Sequence, residues 1–109
     1  MLKYHYDSYT IVIGKNAKQN WDLLDDAIDD DIWLHLNDYP SPYVIIKLSP
    51  NYKIKHKDIK LAGRLCKQYS KYKNLKNIEV CYLKAKYVKK GEHLGEAILL
   101  QESKTMNIK

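Results

Sequence analysis

The apolar side chains fall into short alternating runs broken by two helical patterns. Tyr4 to Tyr6 and Tyr9 to Ile13 read as strands on either side of an Asp7-Ser8 turn, an opening hairpin. From Asn16 onward, Ala17, Trp21, Leu24 and Ile28 recur at steps of four, three and four, which predicts a one-sided helix over about 16–27. Next come a strand from Ile32 to Asn37, the loop Asp38-Tyr39-Pro40-Ser41-Pro42, and a strand from Tyr43. Ile59, Ala62, Leu65, Cys66, Tyr69 and Tyr72 form the apolar stripe of a second helix, placed at about 57–72. The remainder reads as strand: Ile78 to Leu83, Lys86 to Lys89, Glu96 to Leu100 and Thr105 to Ile108, with Gly91 and Gly95 turning the middle pair. The expected fold is α+β, an antiparallel-dominated sheet of short hairpins with two helices, in a single domain covering 1–109.

The hairpin of the central strands has two unlike faces. Ile32, Leu34 and Leu36 share one with Val44, Ile46 and Leu48; Trp33, His35 and Asn37 share the other with Tyr43, Ile45 and Lys47. The second face reads either as a platform for stacked bases or as a core layer beneath a helix. The size of an indole favours the core for Trp33; His35 is left open.

Charge changes the picture by its position. The net charge is +6, yet residues 1 to 46 hold 3 Lys against 8 Asp, whereas residues 47 to 109 hold 16 Lys/Arg against 5 Asp/Glu. A basic half fits a polyanionic partner, although 18 Lys to one Arg, with no Phe, also fits the codon bias of an AT-rich genome. Location therefore counts for more than the total. On the second helix, Lys57, Lys60, Arg64, Lys67 and Lys71 lie opposite the apolar stripe with no acidic residue among them, a pattern suited to phosphate contact. Lys84, Lys86, Lys89 and Lys90 crowd the last hairpin, where edge protection explains them equally well. Asp25, Asp26, Asp29, Asp30 and Asp31 read as a solvated acidic bend, and no metal is assigned to them.

The first helix begins directly after Gly14, with Asn16 placed to cap it and Gln19 to reach back. Its free N–H groups, together with Lys15, Lys18 and the amides of Asn16, Gln19 and Asn20, form a candidate phosphate or base-edge site. From the local sequence alone, an ordinary capped turn explains the same residues more economically.

Taken together, Gly14-Lys15-Asn16-Ala17-Lys18-Gln19-Asn20 and Asp31-Ile32-Trp33-Leu34-His35 resemble the NFACT-R domain. Further matches follow in order: Ser41-Pro42-Tyr43-Val44-Ile45-Ile46, Ala62-Gly63 with Tyr69-Ser70-Lys71, and Val88-Lys89-Lys90 with Gly95. Two departures stand out, Pro42-Tyr43 for the family's Ser-His pair and Gly63 for its second Ala. The resemblance implies an RNA-binding module of ribosome-associated quality-control factors, with tRNA or the ribosome as partner, in a stand-alone version. DNA remains open as a ligand. The site residues expected are Lys15, Asn16, Lys18, Gln19, Asn20, His35, Lys60, Arg64, Lys67, Lys71, Lys89 and Lys90.

No catalytic motif is present, and His5, His35, His56 and His93 are scattered. His35 and Asp31, four apart on a strand, would stand about 13 Å from each other. The expectation is a non-enzymatic protein without cofactors. Cys66 and Cys81 read as reduced thiols, and the lack of a signal segment or membrane-length apolar run predicts a cytoplasmic protein with no membrane partner. The alternative is a protein-interaction adaptor that sets its basic helix against an acidic partner.

Overall fold

The computed structural model describes residues 1–109. In chain order the elements are β1 (Leu2–His5), β2 (Tyr9–Ile13), α1 (Ala17–Asp26), β3 (Ile32–Leu36), β4 (Val44–Leu48), α2 (His56–Gln68), β5 (Ile78–Lys84), β6 (Val88–Lys90), β7 (Ala97–Leu99) and β8 (Lys104–Ile108). Six strands form one sheet in the order β1-β2-β4-β3-β5-β8, antiparallel at every pairing. β6 and β7 form a separate antiparallel ribbon. The expected α+β class and both helices are present.

Alternation along the strands produces two cores. Ile11, Ile13, Ile32, Leu34, Val44 and Ile46 face α2, which contributes Ile59, Ala62, Leu65 and Cys66. Val12, Trp33, Tyr43, Ile45 and Leu83 point the other way, beneath Leu23 of α1 and Val88 of β6. Full burial of such a side chain stabilises by about 1.5–3 kcal/mol relative to exposure, so both faces hold the sheet. This settles the role of the aromatic face. Trp33 is 2% exposed and Tyr43 1%, so they are core and not an open stacking platform.

The structure corrects the sequence reading at three places. α2 ends at Gln68 and not near Tyr72. There the Ser70 hydroxyl donates to the Lys67 carbonyl at 2.7 Å and accepts the Tyr72 N–H at 3.0 Å, so a side chain takes over from the helical ladder. Lys67 is buried, and Lys71 lies in the turn beyond the helix. In place of a strand beginning at Lys86, Ala85–Tyr87 forms a single 3₁₀ turn before β6.

The third correction is Asp31, which is not solvated but 1% exposed. It accepts the N–H groups of Ile28 at 3.0 Å and Leu48 at 3.1 Å, while the Lys47 ammonium stands 3.6 Å away. One carboxylate thereby closes the bend after α1 and pins it to β4. Asp58 does similar work at the start of α2, accepting from Tyr9 at 2.9 Å, Tyr52 at 2.5 Å and the Lys55 N–H at 3.0 Å. Burial alone would raise the pKa of Asp58, but these bonds and nearby Lys57 outweigh it and hold the carboxyl below its usual value.

Candidate nucleic-acid interface

The entry to α1 is built from side-chain amides. Asn16 accepts the Gln19 N–H at 2.9 Å, and Gln19 in turn accepts the Lys15 N–H at 2.9 Å. The box is reciprocal, closing one residue earlier than the usual form. Asn20 turns inward and accepts the Tyr43 N–H at 3.0 Å, tying the helix to the start of β4. Gly14 makes this possible, because a Cβ there would stand 2.2 Å from the Asn20 amide oxygen.

In front of this entry lies a cleft of about 730 Å³. Its walls include Gly14 to Ala17 with Asn20, His35 of β3, the loop Pro40 to Tyr43, and the tip residues Leu94 and Gly95 of the ribbon. Tyr69, just past α2, closes one side and shares a hydroxyl contact with Tyr4 of β1. The tip is held over α1 by the Tyr43 hydroxyl, which donates to the Gly95 carbonyl at 2.6 Å. Burial and the charge of Glu96 push the Tyr43 phenol up to about 12, so it remains a donor at physiological pH. Gly95 has φ +87, and a Cβ on it would lie 2.8 Å from that of Ala17.

His35 reaches the cleft as a neutral ring. Its Nδ1 lies 2.6 Å from the Leu36 carbonyl oxygen, which can only accept, so Nδ1 carries the proton and Nε2 is an acceptor. Burial lowers its pKa, and the bond to Leu36 only partly offsets this. The ring lies parallel to that of Trp33, with centroids 5.9 Å apart.

The cations divide into two populations. All six ion pairs use carboxylates of α1 or the bend after it: Lys18 with Asp22, Lys47 with Asp26 and Asp31, Lys84 and Lys86 with Asp30, and Lys90 with Asp25. Lys90 also lies over the Trp21 ring at 5.4 Å. On α2, Lys57, Lys60 and Arg64 are exposed and make no ion pair, as do Lys15 and Lys71 beside the cleft.

Of the residues expected from sequence, the cleft gathers Lys15, Asn16, Asn20 and His35. Lys71 lines an adjoining hollow that shares Pro40, Ser41, Pro42 and Tyr69 with it. Lys60 and Arg64 follow at helical spacing along the exposed side of α2. Gln19 is engaged in the cap and Lys18 and Lys90 in ion pairs, Lys67 is buried, and Lys89 is exposed on β6 away from the cleft lining. Sequence reasoning missed Tyr69 as a wall and the clasp from Tyr43 to Gly95. The Tyr standing where the resembled family has His, with a distant Gly, was the only signal for the clasp. No group of three or more His, Cys, Asp or Glu side chains is arranged to hold a metal ion.

The chain is thus a two-helix α+β domain with a cleft at a capped helix entry and a basic helix face free of ion pairs. The sequence matches the family described as NFACT protein RNA binding domain over residues 2–101, and the chain belongs to that family. It is 39% identical over 83 residues to the Rqc2 homolog RqcH of Bacillus subtilis (strain 168), covering 74% of this chain and 14% of that protein. The chain thus spans about one seventh of the length of that relative. The C-terminal part of the fibronectin/fibrinogen-binding protein from Streptococcus suis has the same fold, with a TM-score of 0.85 and 25% identity over 97% of this chain and 43% of that one.

Proposed function

We propose that residues 1–109 act as a single RNA-binding module that grips the phosphate backbone with Lys15, Lys71, Lys60 and Arg64 and sets the cleft beside the bound strand. The observation that carries this reading is the convergence of Lys15, Asn16, Asn20 and His35 on one cleft whose neighbouring cations are unpaired. Phosphate contacts from lysine and arginine supply affinity and orientation without sequence information. Membership of the family supports RNA as the ligand, and similarity to a protein named as an Rqc2 homolog supports tRNA or ribosomal RNA in ribosome-associated quality control. The role is binding and not catalysis. The test compares Lys15→Glu/Lys71→Glu with wild type, measuring thermal unfolding and RNA affinity at one salt concentration, with duplex DNA of equal length as the reference ligand. Loss of RNA affinity in a folded protein supports the site; unchanged affinity rules it out.

One observation favours a second reading. Leu94, Ile98, Leu99 and Leu100 of the ribbon are exposed at 58%, 46%, 37% and 53%, an apolar surface suited to a protein partner. Competition between RNA and a candidate protein for the same surface separates an adaptor from an RNA binder.

A further inference from the structure

Resting on the RNA-binding reading, we infer that the cleft is a pocket for one unpaired nucleotide, so that the protein selects RNA from which a base can be splayed out of the helix. A volume of about 730 Å³ lies within the range of small-molecule pockets, roughly 300–1,000 Å³. A base can enter such a space, whereas a paired duplex can touch only its rim. The chemistry of the walls points the same way. Asn20 is 8% exposed and lines the cleft; its amide oxygen is spent on the Tyr43 N–H, while its NH₂ donates to no other group of the protein. His35 offers the opposite polarity, an Nε2 acceptor fixed by the bond from Nδ1 to Leu36. A donor and an acceptor in one half-buried cleft match the edge of a nucleobase, which carries both. Tyr69 supplies an aromatic wall, and Lys15 with the N–H groups of α1 provides a place for the attached phosphate. A site for inorganic phosphate alone would leave the Asn20 and His35 groups without a purpose.

The test uses three hairpin RNAs of equal charge: fully paired, with a one-nucleotide bulge, and with that bulge made abasic. Wild type should bind the bulged RNA roughly tenfold more tightly than the other two, the effect of one stacked and hydrogen-bonded base. In a ¹⁵N spectrum the Asn20 side-chain NH₂ resonances should shift with the bulged RNA and stay in place with the paired one. Asn20→Asp, which keeps the acceptor for the Tyr43 N–H and removes the donor, should erase the preference in a protein that still melts cooperatively. Equal affinity for all three RNAs overturns the pocket and leaves RNA binding intact. Failure to bind any of them overturns both.

Discussion

The two faces of the sheet solve the same packing problem with opposite electrostatics. Behind β3 and β4, α2 covers an aliphatic core and turns Lys57, Lys60 and Arg64 to solvent without a carboxylate partner. In front, α1 and the ribbon cover an aromatic core, and the lysines nearby are matched to Asp22, Asp25, Asp26, Asp30 and Asp31. The acidic first half and the basic second half of the chain therefore do not form two patches. Part of the basic half folds against the acidic bend and is neutralised there, whereas the cations of the exposed side of α2 and those beside the cleft, Lys15 and Lys71, stay unpaired. Net charge sums both populations, whereas a polyanion meets only the second.

The comparison breaks most sharply at Asp31. Asp31→Ala should cost about 3 kcal/mol in urea unfolding, because two backbone N–H groups and a lysine lose a buried acceptor. Asp30→Ala, with both of its ion pairs at the surface, should leave the midpoint essentially unmoved. Equal losses would mean that the bend is held by net charge and not by Asp31 as a structural acceptor.

At the entry of α1, Asn16→Ala should cost about 1 kcal/mol through the lost cap. RNA affinity should fall with it, whereas Lys15→Ala should lower affinity alone. A smaller effect is expected from His35. A histidine whose folded pKa lies below its unfolded value of about 6.5 contributes stability that is complete above that value and is lost as pH falls through the folded pKa. Melting temperature followed from pH 7 to 5 should therefore fall more steeply for wild type than for His35→Gln. Parallel curves would remove burial of a neutral ring from the account.

Much of the fold was legible in the sequence because strand alternation and helical stripes are local patterns. The cap at Asn16 was legible for the same reason, since its partners lie within four residues. What escaped depends on distant parts of the chain. Lys67 lies on the basic side by helical spacing but is buried in the finished fold. Lys71 was counted as helical because nothing in the periodicity reveals that the Ser70 hydroxyl would end the ladder. Asp31 sat among four other aspartates, and only the return of β4 singled it out. The cleft was half visible: Lys15, Asn16 and Asn20 lie close together in the sequence, whereas His35, Tyr69 and Gly95 arrive from distant parts of the chain.

The central claim is that free cations, and not cations in general, carry RNA binding. Its most direct test is the slope of log affinity against log salt for two triple variants that remove equal charge. Lys60→Ala/Arg64→Ala/Lys71→Ala should flatten the slope by about 2–3 and weaken binding of every RNA tried. Lys47→Ala/Lys84→Ala/Lys86→Ala should leave the slope near that of wild type, since those ammonium groups are already paired. Equal flattening by the two variants would contradict the account and return the explanation to net charge.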